Sequence, residues 1–208
     1  MMQVRVGWHI GITYALSKRM PRAARSSSPD RHARLHPMKN FDYHTVVTWT
    51  GNDGTGTSAR TYGRDNEIAA GSKATIPGSA PPEFGGDPTA WPPEELLVAA
   101  VSQCHLLTYL FQCSRNGVVV ESYRDAASGT LGVEGAAGGH FTEIVLRPEV
   151  TISAGDPQTA LELHAAAHQG CYIGSSVNFP VRIEPTVVLD ATRSEERRVG
   201  KECLRLCR

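Results

Sequence analysis

The chain has 208 residues and equal numbers of basic and acidic side chains, 21 of each. Residues 1–37 carry seven Lys or Arg and one acid, residues 193–208 carry six and three, and residues 38–192 carry eight and seventeen. A nucleic-acid groove needs clustered Lys and Arg, so the acidic middle argues against a nucleic-acid partner. No run approaches the roughly 20 apolar residues of a membrane span, and no clear signal peptide opens the chain. We therefore expect a cytoplasmic protein with no membrane partner.

The composition predicts one domain over residues 38–192 with a segment outside the fold at each end. Residues 1–37 are Arg-rich, as expected of a mis-called start, a disordered extension or a transit peptide. Residues 193–203 read RSEERRVGKEC, which a widely used sequencing adapter gives on translation, so we expect residues 193–208 to be a non-native read-through tail rather than a disordered basic tail. Without Cys203 and Cys207, three cysteines remain, an odd set that does not indicate a secreted disulfide framework.

The first part of the domain has strand and loop signals. Residues 43–50 are rich in Val, Thr, Tyr and Trp, and the turn residues 51–54 follow them, which predicts a β-hairpin whose second strand runs from Thr57 to about Arg64. Residues 77–93 contain six prolines and predict a long loop.

A long helix is predicted from Pro93 to Asn116. Proline and two acids lie at its start, no Gly or Pro interrupts it, and Gly117 follows its end. Apolar residues occur on nearly every face, including a series at Leu97, Val101, Cys104, Thr108 and Phe111, which is typical of a buried helix. A small domain cannot easily enclose such a helix, so we expect a second copy of the chain to complete its cover in an intertwined homodimer.

The remaining elements complete an α+β order. Residues 118–133 and 141–153 read as strands that pair as a hairpin, Asp156 caps a second helix over Ala160–Gln169, and residues 178–189 return to strand. The expected fold class is therefore α+β, with antiparallel sheets around a long buried central helix.

Three sequence segments resemble a known family. Residues 93–105, from PEELL to SQCH, and residues 170–178, GCYIGSSVN, resemble the paired cysteine motifs of the osmotically inducible protein C (OsmC) and organic hydroperoxide resistance (Ohr) family, and more closely its OsmC-like branch. Residues 62–65, YGRD, are similar to the arginine segment of that family. The resemblance extends over residues 38–189. It implies an OsmC-like fold and a thiol-dependent peroxidase that reduces organic peroxides and also hydrogen peroxide.

The resemblance implies that Cys104 is the nucleophile, with Arg64 as its activator and Glu94 holding the guanidinium. Peroxide attack requires a thiolate, and a free thiol with its pKa near ~8.5 is mostly protonated. Cys104 lies about three turns inside the helix, where the helix dipole has faded, so a side-chain cation is needed. Along a straight helix, Glu94 and Cys104 stand ~15 Å apart. A site shared between two subunits would join them, whereas a bend in the helix would allow them to meet within one chain.

Cys171 follows a predicted helix end, where the dipole disfavours a thiolate, so it suits the resolving role. In this interpretation Cys104 forms a sulfenic acid, Cys171 condenses with it to a disulfide, and an external dithiol, of lipoyl type in some relatives, recycles the pair. No cofactor or metal is required. Neighbouring apolar residues favour an organic peroxide, although such residues are more often core: Leu106, Leu107, Leu110, Ile173 and Phe179.

Two alternatives remain open from the sequence. His164 and His168 lie four residues apart on one helix, and with Cys171 they have the spacing of metal ligands, to which Cys104 and His105 could add. Alternatively, the chain is a small-molecule-binding OsmC-like module without turnover. Cys113 has no motif around it, and we expect it to be an inert core residue.

Overall fold

Helices and short strands alternate in the part of the chain that the computed structural model describes, residues 39–58, 60–135 and 138–190. Residues 1–37 and 193–208, predicted to lie outside the fold, are outside the described residues. The helices are α1 (Pro93–Arg115) and α2 (Pro157–Gly170). The strands are β1 (Val46–Trp49), β2 (Asn66–Ala69), β3 (Ile76–Gly78), β4 (Val119–Asp125), β5 (Ser128–Val133), β6 (Gly139–Leu146), β7 (Pro148–Ala154), β8 (Val181–Ile183) and β9 (Thr186–Leu189). Single 3₁₀ turns occur at Pro82–Phe84 and Gly174–Ser176.

Both predicted helices are confirmed. Pro93 occupies the first turn of α1, where its missing N–H costs no hydrogen bond, and Gly117 adopts φ 72° just beyond the end of the helix. In α2, the Asp156 side chain accepts a hydrogen bond from the Thr159 backbone N–H at 2.7 Å. That bond satisfies one of the free donors of the first turn and fixes where the helix begins.

The strands form three separate three-stranded sheets, in the orders β1-β2-β3, β4-β7-β9 and β5-β6-β8. The expectation of purely antiparallel sheets was wrong, because β8 runs parallel to β6 and β9 runs parallel to β7. Strands β8 and β9 arrive after α2, and this connection lets them join each sheet in the parallel sense. The α+β class itself is confirmed.

Several predicted strand limits were wrong. The second strand of the first hairpin begins at Asn66 rather than Thr57, because local hydrogen bonds hold the intervening loop. The Asn52 side chain accepts from the N–H groups of Gly54 and Gly56, and Asp53 accepts from that of Thr55. Each of the three later segments, 118–133, 141–153 and 178–189, divides into two strands that belong to different sheets.

Helix α1 joins two apolar clusters along a single face. Val101 packs in one cluster with Ile144 and Leu146, and Tyr109 and Cys113 pack in the other, whose further members are Val118, Val150, Ile152, Ala160, Leu163 and Ala167. The buried residues of α1 are Val101, His105, Tyr109 and Cys113, a series with a spacing of four.

The expected burial of α1 on all sides is not found in a single chain, where Leu107 is 61% exposed and Phe111 is 56% exposed. By length and composition α1 is apolar enough to cross a membrane, which the sequence analysis did not anticipate. One such helix is weak evidence, since the core helix of a globular protein passes the same test.

Candidate active site

The side chains of Cys104 and Cys171 lie close enough to interact, although they come from distant parts of the chain. Cys104 is in the middle of α1 and is partly exposed, whereas Cys171 directly follows α2 and is 2% exposed. Both cysteines are free. Burial, followed by the contact with Cys104, raises the pKa of Cys171 to about 11. Cys171 is therefore a protonated thiol at neutral pH, within reach of the Cys104 sulfur.

Close packing of the end of α2 on α1 brings the two sulfurs together. A Cβ placed on Gly170, the last residue of α2, would stand 3.1 Å from the Cγ2 of Thr108, so a glycine allows the backbone of α2 to approach α1 here. The Thr108 hydroxyl donates to the Cys104 carbonyl at 2.9 Å, which fixes the direction of that methyl group. After the helix, the Gly174 backbone N–H donates to the Cys171 sulfur at 3.3 Å.

Arg64 lies near the first residue of α1, whereas Cys104 is in the middle of this helix. Its guanidinium stacks over the Tyr62 ring, 4.6 Å from the ring centroid, and donates to the Tyr62 carbonyl at 3.0 Å. It lines an open cavity of about 560 Å³ together with Trp49, Asn66 and Pro93, the first residue of α1. The described residues of one chain contain no ion pair between Arg64 and Glu94.

Glu94 has a buried carboxylate oxygen, Oε2, that has no hydrogen-bond partner within the described chain. A buried carboxylate oxygen without a hydrogen bond costs free energy. Of the four predicted site residues, the chain thus brings Cys104 and Cys171 together and keeps Arg64 and Glu94 near the start of α1.

His105 and His164, which the sequence suggested only as candidate metal ligands, form a buried pair between α1 and α2. The Nε2 of His105 and the Nδ1 of His164 lie 3.0 Å apart, and the rings are 1% and 2% exposed. His164 also stacks on Tyr109, with ring centroids 3.8 Å apart. The signal that could have found the pair is the position of His105 midway between Val101 and Tyr109, at a spacing of four, on the buried face of α1.

The metal alternative finds no support in this geometry. His164 turns its Nδ1 to His105, and no group of three His, Cys, Asp or Glu side chains converges as metal ligands within the described residues. Two donors alone do not make a structural or catalytic metal site in the usual sense, which takes three or four protein ligands.

Comparison with known proteins identifies relatives of this chain in sequence and in fold. The family model for OsmC-like proteins matches residues 85–186. A solved structure of an OsmC-like protein of unknown function from Vibrio cholerae is 31% identical, with a TM-score of 0.65, and the alignment covers 71% of this chain and 100% of that one. The chain belongs to the OsmC-like family. Glu94, Cys104 and Cys171 lie within the matched residues of the family model, and Arg64 lies before them.

More distant structures share the OsmC-like fold. An OsmC-like protein from Mycoplasma pneumoniae is 13% identical, with a TM-score of 0.56 over 72% of this chain and 99% of that one. A putative organic hydroperoxide resistance protein from Vibrio cholerae, with captopril bound in one of its active sites, is 22% identical, with a TM-score of 0.53 over 74% of this chain and 96% of that one. No curated protein matches the sequence.

Proposed function

We propose that this OsmC-like protein is a thiol-dependent peroxidase that reduces organic hydroperoxides through Cys104 and Cys171. The observation that supports it best is the contact between the two thiols, one partly exposed and one buried. A peroxide can reach the partly exposed Cys104, while the buried Cys171 is protected from direct oxidation. This asymmetry is what a nucleophile and a resolving thiol require.

The proposed reaction has three steps. The Cys104 thiolate attacks the terminal oxygen of the hydroperoxide, the O–O bond breaks, and the alkoxide takes a proton to leave as an alcohol, so that Cys104 becomes a sulfenic acid. The Cys171 sulfur then attacks the Cys104 sulfur, loses its proton and displaces hydroxide, which gives a disulfide and water. An external dithiol, for which we propose a lipoyl-type molecule, reduces the disulfide to two thiols and is itself oxidised to a disulfide.

Arg64 and Glu94 enter this proposal across a homodimer. Within one chain Arg64 lies near the start of α1, and ten residues of helix, or ~15 Å, separate Glu94 from Cys104. The unpartnered Oε2 of Glu94 and the exposed apolar side of α1 both favour a second subunit. If α1 of the partner packs antiparallel, the guanidinium of one subunit can stabilise the thiolate of the other.

The preference for an organic peroxide rests on apolar side chains around the cysteine pair. Leu107 and Phe111 follow Cys104 by three and seven residues, which places them on its side of α1, and Ile173 follows Cys171. All three are exposed in the single chain, so the part of this surface that the second subunit leaves uncovered is available to an alkyl group. We place the reaction in the cytoplasm, where reducing conditions keep free cysteines available.

Intact mass spectrometry after one equivalent of cumene hydroperoxide tests the proposed activity. The wild type should lose two hydrogens as the disulfide forms, while Cys171→Ser should gain one oxygen and then a second at Cys104. The Cys104→Ser variant should leave the peroxide unconsumed. Cys113→Ser is the matched control, because the Cys113 thiol is buried in an apolar cluster, and it should behave as the wild type. A wild type that leaves the peroxide intact with a dithiol present would favour the non-catalytic binding module.

Mixed variants test the sharing of the site between subunits. Glu94→Ala and Cys104→Ser proteins are each expected to consume little peroxide alone. When they are unfolded together and refolded, mixed dimers contain one site with both native residues, so activity should return to about a quarter of the wild-type value. Activity that stays at the level of the separate variants would favour a site within one chain.

A further inference from the structure

The buried pair His105 and His164 joins α1 and α2, the two helices that lead to the cysteines. His105 follows Cys104 on α1, and Cys171 follows His164 by seven residues, about two turns of α2. The imidazoles meet through the 3.0 Å contact between Nε2 of His105 and Nδ1 of His164, in which one nitrogen donates and the other accepts. The same two helices that present the thiols are therefore joined by a directional bond.

Much of the remaining contact between α1 and α2 is apolar, although near the start of α2 the Tyr109 hydroxyl also donates to the Ala160 carbonyl. The other buried residues of α2 are Ala160, Leu163 and Ala167, and apolar packing of this kind is not directional. A buried hydrogen bond, in contrast, is lost when the helices slide by even an ångström or two, and its unpaired groups then cost about 1–3 kcal/mol. The register between the helices thus depends on polar contacts.

Both imidazoles are neutral near pH 7. Burial, with a smaller effect of the charge on His168, lowers the pKa of His105 to about 4, and Asp125 opposes this shift weakly. Burial and the neighbouring His105 lower the pKa of His164 to about 3. A neutral pair places no positive charge beside the sulfurs, so its contribution to a thiol site is geometric.

We infer that His105 and His164 are positioning residues, whose hydrogen bond sets the register of α2 on α1 and so holds Cys171 within bonding distance of Cys104. This inference deepens the proposed function and rests on it for its role in turnover. The disulfide itself can form without peroxide: oxidised glutathione takes two electrons from the two thiols, which yields the protein disulfide, two molecules of reduced glutathione and no other product.

The test measures the equilibrium between the dithiol and disulfide forms in glutathione buffers at pH 7, by alkylation and intact mass. His164→Gln and His164→Met introduce side chains of similar size, of which glutamine can form a normal hydrogen bond to His105 and methionine accepts only weakly. We expect His164→Met to lower the equilibrium constant for the Cys104–Cys171 disulfide at least fivefold, and His164→Gln to stay within twofold of the wild type. Equal constants for the two variants would overturn the inference.

Tyr109→Phe is the control for a general loosening of the helices. The Tyr109 hydroxyl donates to the Ala160 carbonyl at 3.2 Å, so this variant also removes a hydrogen bond between α1 and α2, about one turn from His105. Ala160 lies near the start of α2, eleven residues before Cys171, so this variant should leave the disulfide constant within twofold of the wild type. An effect as large as that of His164→Met would contradict a specific role for the histidines. Should His164→Met fail to fold, His105→Leu/His164→Met leaves no buried imidazole and carries the same expectation.

Peroxide is absent from these measurements, so the inference and the proposed function fail separately. If the wild type forms the disulfide with oxidised glutathione but does not consume hydroperoxide, the proposed peroxidase activity is excluded and the positioning role stands. Normal peroxide consumption with equal disulfide constants in the glutamine and methionine variants would exclude the positioning role and leave the proposed peroxidase activity intact.

Discussion

Gly174 donates its backbone N–H to the sulfur of Cys171 at 3.3 Å and lies close against that sulfur. An ideal Cβ at position 174 would stand 3.2 Å from that sulfur and 3.5 Å from the Cβ of Cys171. Protein interiors are packed closely enough that a new methyl group must displace its neighbour. The sulfur of Cys171 is thus confined between this turn and the thiol of Cys104.

Gly174→Ala should therefore slow disulfide formation several-fold, because the added methyl group pushes the Cys171 sulfur from its position. Disulfide formation is started with oxidised glutathione, samples are quenched at timed intervals, and the mass of the protein is measured. Gly132→Ala is a matched control. Gly132 lies on β5, and a Cβ there would stand 3.3 Å from the methyl group of Thr142 on β6. Neither strand contains a cysteine. Identical rates for both variants would show that the turn does not confine the sulfur.

Cys113 should be unreactive in the folded protein. It is 1% exposed, and burial raises its pKa, so the thiolate needed for alkylation is scarce. Peptide mapping after a brief treatment with iodoacetamide should find Cys104 labelled first and Cys113 labelled only once urea unfolds the chain. Labelling of Cys113 in folded protein at the rate of Cys104 would contradict its place in the core.

Arg64→Ala should slow the oxidation of Cys104 by on the order of tenfold or more, if the guanidinium stabilises the thiolate as proposed. Arg64→Lys keeps the charge but loses the planar stack on Tyr62, so an intermediate rate is expected. Stopped-flow measurement of sulfenic acid formation in the Cys171→Ser background gives these rates. Arg124→Ala, which removes an exposed ion pair with Glu149, is the control and should leave the rate unchanged.

The two helices could be predicted closely because their ends depend on local chemistry. Pro93, Asp156 and Gly117 act within a turn of the boundary that each one sets, and the sequence shows them directly. The sheets depend on distant pairing instead. Nothing near Val181 or Thr186 indicates that β8 and β9 join sheets begun by β6 and β7, nor that both do so in parallel.

The candidate site was predictable in part for a similar reason. Cys104 and Cys171 could be recognised because each lies in a motif of contiguous residues. The bond between His105 and His164 joins two helices, and neither sequence segment shows it alone. The buried face of α1 also differs from the apolar series in the sequence. That series passes through Cys104 and Phe111, whereas the buried face passes through His105 and Tyr109.

The histidine pair predicts that stability falls with acid between about pH 6.5 and pH 4. The pKa values of about 4 for His105 and about 3 for His164 lie below the value of ~6.5 in an unfolded chain. In that window the unfolded state binds protons that the folded state does not, so the contribution is complete above pH 6.5 and declines as the pH drops. Each histidine should lower the free energy of unfolding by about 1.4 kcal/mol per pH unit. Urea titrations at half-unit intervals measure this slope.

Replacement of one member of the pair isolates its share of the slope. His164→Gln removes one titrating group and should reduce the slope between pH 6 and 5 by about half, while His140→Gln, at an exposed position of β6, should leave it unchanged. Carboxylates add to acid instability only at lower pH, because unfolded Asp and Glu titrate near ~4. A slope in His164→Gln equal to that of the wild type would mean that His164 binds its proton equally in the folded and the unfolded chain, which contradicts a lowered pKa for this imidazole.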